Sequence, residues 1–471
     1  MSFQSLSFLL FLAVTVCVCL WAGRKDRRLG MYLLAAAGVV FCLWNLDRQA
    51  LSGCLVLLGG AAVTYAAVTA RSSRLYLPAV CWHVGVLLWF KCVGFFDPTL
   101  YHGWMPLGLS FYTFQQLWLL AESRRGNISL REEGRGAFLL YTFFFPAVTS
   151  GPILKPQNFF PQLRGERFLH PDGQDLAAGL YAITMGMAKK VLLADPLGVL
   201  VGNGWAMAGE LSAPATWIVI LGYTLQLYLD FSGYCDIAAG CARLLGLRLP
   251  VNFDSPYHAL SVTEFWKRWH MTLTTFLREC LYFPLGGSRR GVGRTYLNIL
   301  IVFLISGFWH GAGWTFLLWG GLHGLAQVAE RLWGRGRERL PKGLRWGMTF
   351  LFVNLAWVFF RAPDLAAAGD MLVSAVTGGG GLMLSQLSAG MLESEVNAIQ
   401  TLLPVLSGRV PALMAAALLA VGMVVVLWPK TVLRKMEEFR PRPVHAVACG
   451  VLLVWAVLSF SGVATFIYSN F

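Results

Sequence analysis

The stretch ISGFWHGAGWTFLLWGGLHG, residues 305–324, is apolar enough to lie in a bilayer, yet it carries two histidines thirteen residues apart. Ionisable groups at membrane depth are costly, and where they occur they face protein or a water-filled cavity. Basic residues flank the stretch on both sides: Arg289, Arg290 and Arg294 before it, and a run from Arg331 to Arg345 after it. Excess Lys and Arg marks the cytoplasmic side of a membrane segment. Both flanks are therefore expected on one face, and the apolar stretch must go in and come back. Gly311 and Gly313 next to His310 permit a backbone break and close helix packing there. The stretch is thus expected to be a broken hairpin with His310 at the break, buried, neutral and able to act as a base. On one continuous helix His323 would lie about 220° around the axis from His310.

The rest of the chain agrees with a membrane setting. Of 471 residues, 56% are hydrophobic and 13% charged, with a mean hydropathy of +0.59; soluble domains carry about 25% charged residues. Fourteen apolar runs recur, many near the ~20 residues that cross a bilayer core. This predicts an all-α polytopic integral membrane protein forming one domain, 1–471, with roughly eleven transmembrane helices plus re-entrant and interfacial helices. The first run, 5–21, lacks a basic segment before it and has its basic cluster at 24–28 after it, so it reads as a retained helix rather than a signal peptide. The clusters at 24–28 and 71–74 read as cytoplasmic, and 47–49 as outside. Both chain ends are then expected outside, the basic segment 430–442 preceding one last apolar run.

The net charge of +14 sits in short loops, which fits membrane topology and argues against nucleic acid. Ten cysteines are scattered without Cys-x-x-Cys spacing, so free thiols are expected, with no disulfide framework and no metal site. Residues 249–294 are too polar for one span and too aromatic for a linker. Ser261 and Glu264 are spaced for a capping box, and the block reads as an interfacial helix set with Trp at headgroup level, placing His270 in the interface. Residues 377–408 read as a long extramembrane loop.

A second polar set interrupts an apolar run: Gln226, Tyr228, Asp230, Ser232, Tyr234 and Asp236. Asp in a span implies a pathway, a Lys or Arg partner, a helix break at Gly233 or a hydrogen-bonded structural corner. Lys189, Lys190, Lys267, Arg268, Arg278, Arg289 and Arg290 are either topogenic charges or a rim that recognises phosphates on a soluble donor. No Walker loop, dinucleotide loop or His-Glu-x-x-His occurs. The residues alone leave a transferase and a proton-coupled transporter equally open.

The motifs add a family likeness. SVTEFWKRWHMTLTTFLRECLYFPLGGSRRG (261–291) followed by SGFWHGAGWTFLLWGGLHG (306–324) resembles the membrane-bound O-acyltransferases, above all the bacterial branch of alginate O-acetyltransferases. Further likenesses are PLGLSFYTFQ (106–115), FPAVTSGPILKP (145–156), GMAKKVLLAD (186–195), YTLQLYLDFSGYCDIAAG (223–240) and NFDSPY (252–257). The motif-bearing core covers about 105–361, with C-terminal helices at 410–471. The resemblance implies helices around a central funnel in a bacterial inner membrane, moving an acetyl group from cytosolic acetyl-CoA to a periplasmic polysaccharide such as alginate. No bound cofactor is implied; a periplasmic acyl-accepting partner transferase is. It makes His310 the family's invariant histidine, places a second polar group at His270, and gives His323 a role in the polysaccharide branch. Trp309 and Trp314 are expected to wall the tunnel, with Gln226, Tyr228, Asp230, Ser232 and Tyr234 along it and Lys189, Lys190, Lys267, Arg268 and Arg278 as the donor's phosphate rim. The D-alanyl-transferring branch, fed by a carrier-protein thioester, is the alternative. Two stretches depart from the alginate pattern: 121–126 (AESRRG) and 278–280 (REC).

Overall fold

The structure is a computed structural model that describes residues 3–44, 48–70, 73–97, 99, 105–149, 151–379, 381 and 384–460. Asp47 and Arg71 of the topology argument, and residues 461–471 of the last apolar run, lie outside them. Among the described residues every regular element is helical, and the only strand-like pairing is an isolated bridge between Ser212 and Gly379. Among the described residues six helices are long and apolar enough to cross a membrane: Leu6–Lys25, Gln49–Ala70, Arg74–Phe96, Gly173–Ala206, Val292–His310 and Lys342–Arg361. Shorter apolar helices follow at Leu365–Thr377, Val410–Val426 and Pro443–Leu458. This is a multi-pass membrane protein. Against the roughly eleven crossings expected, the described residues hold these six long apolar helices and three shorter ones.

The spine is Ala213–Leu244, a 32-residue helix about 48 Å long. It is buried on nearly all sides, as a helix at the centre of a bundle must be. The expected break at Gly233 is absent; the helix runs straight through its polar stretch. Gly233 serves close approach instead. A side chain there would meet the Gly186 carbonyl at 2.8 Å, and one on Gly240 would meet the Gly179 carbonyl at 2.6 Å. Glycines seven residues apart on Gly173–Met187 thus face glycines seven apart on the spine, which lets the two backbones touch.

Two other expectations are corrected. The tryptophans of the block around His270 do not face lipid headgroups: Trp266 and Trp269 are 5% and 1% exposed, inside the central core. The Ser261 half of the capping box forms, its hydroxyl accepting from the Glu264 amide at 2.9 Å and starting the helix Val262–Arg268, while the Glu264 carboxylate accepts from the Leu260 amide at 2.9 Å, one residue short of the box's usual partner. Residues 377–408 are not an open loop either. They hold the helices Leu384–Leu387 and Glu393–Leu402, and Leu387, Ser388 and Met391 are buried.

Gly240→Leu is expected to lower the thermal midpoint of the detergent-purified protein sharply, since overpacking costs about 1–3 kcal/mol or more. Gly202→Ala, where nothing lies within 4 Å, should leave it unchanged. Equal midpoints for both would refute the packing role.

Candidate active site

Val292–His310 ends at His310, Gly311 continues in extended backbone, and Trp314–Trp333 returns. The hairpin is broken where the sequence placed the break. The helices are in backbone contact: a Cβ on Gly307 would meet the Phe316 carbonyl, and one on Gly320 the Phe303 carbonyl, each at 2.3 Å. His310 is 2% exposed and His323 is fully buried. Around His310 stand Trp309, Trp319 and Phe360, with ring centroids 4.5, 5.1 and 5.2 Å away. His270, Lys91 and His323 lie within electrostatic range of it. From Val292 the helix rises about 27 Å to His310, and the half-exposed turn 311–313 follows at that end.

Trp319 stands between the two histidines of the hairpin, its centroid 5.1 Å from each. The Trp266 indole N–H donates to His323 Nδ1 at 3.1 Å. That bond occupies the lone pair of a neutral His323 and leaves its Nε2 carrying the proton. In this tautomer the Nδ1 lone pair of His323 is taken up by Trp266.

His270 is fully buried at the N-cap of Met271–Leu277, with a left-handed backbone (φ 44°) that is uncommon outside glycine. Asn252 holds it there. Its side-chain oxygen accepts from His270 Nδ1 at 3.2 Å and from the Thr272 amide and hydroxyl at 3.2 and 2.9 Å, while its carbonyl accepts from the Met271 amide at 2.9 Å. With Nδ1–H bonded to a carbonyl oxygen, Nε2 is the ring's basic nitrogen. Burial pushes the His270 pKa down, to about 3, so the ring is neutral.

A passage of about 610 Å³ leads to this site between Arg74–Phe96, Leu109–Arg124, the segment 276–284 and Val292–His310. Its walls are apolar (Leu87, Phe114, Phe276, Leu277), and its inner end is Lys91, Ser306 and Trp309. At its other end it shares Arg125 and Pro284 with a polar mouth of about 710 Å³. That mouth sets four cations, Arg125, Lys155, Arg289 and Arg290, against two carboxylates, Glu122 and Glu279. Lys155 pairs with Glu279 at 2.8 Å, and Arg125 binds Glu122 and the Glu279 carbonyl. The two stretches that depart from the alginate pattern therefore touch each other at the mouth.

Several expected site residues lie elsewhere. Trp314 is 66% exposed beside Phe95 and walls nothing enclosed. Lys189 and Lys190 are not a rim. They are buried on a π-helical segment, Ala188–Ala194, and pair with the spine: Lys189 with Asp236 at 2.7 Å, Lys190 with Asp195 and Asp230 at 2.6 Å each. The carboxylates of the polar stretch are thus neutralised, so the spine needs no break. Ser232 lies 3.4 Å from Lys189, Gln226 fills the space over Gly198, Tyr228 packs on Phe253 and Tyr257, and Tyr234 bonds Thr149. None of these six spine residues, Asp230 and Asp236 included, lines the passage. Lys267 is exposed, Arg268 pairs with Glu264 at 2.8 Å, and Arg278 lines a separate cavity of about 160 Å³ beside Trp266. Among the described residues no His/Cys/Asp/Glu cluster fits a metal, and the cysteines are free. Lys91, Asn252 and Trp319 were not singled out from sequence, although a lone lysine inside the run 75–96 was a readable signal.

The membrane-bound O-acyltransferase family profile matches residues 134–366. A probable alginate O-acetylase AlgI of Pseudomonas fluorescens is 34% identical over 79% of this chain and 74% of its own length. The chain belongs to the membrane-bound O-acyltransferase family. It is an acyltransferase, and the matched region holds His270, His310 and His323 together with the spine. A peptidoglycan O-acetyltransferase of Helicobacter pylori is 37% identical over 65% of each chain, so the match spans just under two thirds of that relative. A teichoic acid D-alanyltransferase of Streptococcus thermophilus is 29% identical over 50% of this chain and 59% of its own.

The ion pairs give a prediction about stability rather than donor binding. Lys189→Met alone should destabilise the protein by about 3–5 kcal/mol by stranding Asp236, and Lys189→Met/Asp236→Leu should recover most of it. Unfolding of the purified variants reads this out. A single variant as stable as wild type would return Lys189 to the candidate donor rim.

Proposed function

We propose that this acyltransferase moves an acetyl group from acetyl-CoA to hydroxyls of a polysaccharide or peptidoglycan across the bacterial inner membrane. The observation that carries the reading is the passage: a cationic mouth opens into an apolar channel that ends against Trp309, beside His310. The phosphates of acetyl-CoA match the mouth cations, and its pantetheine arm matches the apolar walls. The half-exposed turn 311–313, about 27 Å along the helix from the basic loop, gives the acceptor an approach from the opposite face. The receiving hydroxyl belongs to the polymer or to a periplasmic partner transferase that passes the group on.

In this reading Trp309 closes the channel against water and yields to the arriving acyl group, which limits hydrolysis of the thioester. His310 takes the proton of the attacking hydroxyl, and His270, fixed by Asn252, shares it through Nε2. His323 holds Trp319 in place against His310. Acetyl transfer is favoured over D-alanyl transfer by the higher identity and coverage of the O-acetyltransferase relatives.

Labelled acetyl-CoA supplied to membranes should pass label to the acceptor. His310→Ala should cut this by roughly 10²–10⁴-fold while the protein still inserts. Wild-type transfer by His310→Ala would refute the mechanism. Arg289→Ala/Arg290→Ala should raise KM for acetyl-CoA about tenfold with kcat little changed, as loss of uniform binding does. An unchanged KM would move the donor away from this mouth.

A further inference from the structure

Lys91 is the one cation at the inner end of the passage. It sits near the end of the membrane-crossing helix Arg74–Phe96, in the run WFKCVGFF. Its Nζ donates to the Trp309 carbonyl at 2.6 Å and stands 4.7 Å from the centroid of the Trp309 ring. That carbonyl is one of the last four of Val292–His310, which have no partner within their own helix and carry its negative end. One N–H of the ammonium is thereby used, and two remain. Among the described residues, no carboxylate is within ion-pair distance of Lys91. A membrane lysine without a carboxylate partner is costly to keep charged; here the Trp309 carbonyl at the helix's negative end and the Trp309 ring are what favour its ammonium form. Lys91 lines the apolar passage and is bonded to Trp309, the residue next to His310.

We propose that Lys91 is a catalytic residue whose ammonium receives the carbonyl oxygen of the acyl thioester; this rests on the acyl-transfer reading above. The acceptor oxygen attacks the carbonyl carbon, and a C–O bond forms as the hydroxyl proton passes to His310. The carbonyl π pair moves onto oxygen, where Lys91 faces the developing negative charge. Collapse of the tetrahedral intermediate re-forms the C=O bond and breaks the C–S bond, and the departing thiolate takes the proton from the His310 imidazolium. A fixed cation at the oxyanion is useful because it is held in a dry site before the reaction begins. The bond to the Trp309 carbonyl fixes the ammonium relative to His310, one residue further along.

The test is saturation kinetics with acetyl-CoA on purified Lys91→Gln and Lys91→Arg, alongside wild type and His310→Ala. Lys91→Gln retains an N–H for the Trp309 carbonyl but no charge; Lys91→Arg retains the charge. Lys91→Gln should lose roughly 10²–10³-fold in kcat with KM within about threefold of wild type, and Lys91→Arg should recover part of the loss. Lys91→Gln within about threefold of the wild-type kcat overturns the proposal. So does a loss carried by KM alone, or a fall in thermal midpoint that Lys91→Arg shares and that accounts for the lost activity. If wild type itself fails with acetyl-CoA but works with an aminoacylated carrier protein, the donor assignment falls. The same variants then test Lys91 with that donor.

Discussion

Contact between the two backbones of the 292–333 hairpin is the constraint on which the site depends. Gly307 and Gly320 let the helices meet with no side chain between them, so the chain can turn within 311–313. The turn leaves His310 at a helix end, where its ring is packed by aromatic side chains instead of lipid. Trp309, Trp319 and Phe360 form that enclosure, and Trp319 carries it on to His323. An imidazole held this way is shielded from both lipid and water.

The surrounding fold serves the same end by removing charge from the core in pairs. The spine carries two carboxylates into the interior, and two adjacent lysines on a π-helical segment meet them. A buried pair of this kind is weak evidence for net stability, but breaking one partner is costly. It accounts for polar residues that composition alone cannot separate from a proton pathway. Among the described residues, cations outside such ion pairs stand elsewhere: Arg289 and Arg290 at the mouth, and Lys91 beside Trp309 in the passage.

Much of this was legible in sequence. The hairpin break was readable because glycine, histidine and flanking arginines coincide in 305–324. The cap at Ser261 was readable because capping is local. What escaped depends on contacts between distant segments. Lys189 and Lys190 look like surface charge until Asp230 and Asp236 are seen beside them. Trp266 and Trp269 suit a headgroup layer by type, and only the helices packed over them show that they are core. Asn252 lies in a quoted motif, yet nothing local says that it fixes His270 from eighteen residues away. The mouth was missed for the same reason, since Arg125, Lys155 and Arg289 come from three separated stretches. Conversely, Trp314 was expected to wall the tunnel together with Trp309, yet it stands 66% exposed.

The most direct test is a structure of the protein with a non-hydrolysable thioether analogue of acetyl-CoA. The account predicts the analogue's phosphates among Arg125, Lys155, Arg289 and Arg290, its arm along Phe114 and Phe276, and its acyl end beside Lys91 with the Trp309 ring displaced. An analogue bound in another cavity, or entering from the side of residues 311–313, would contradict it.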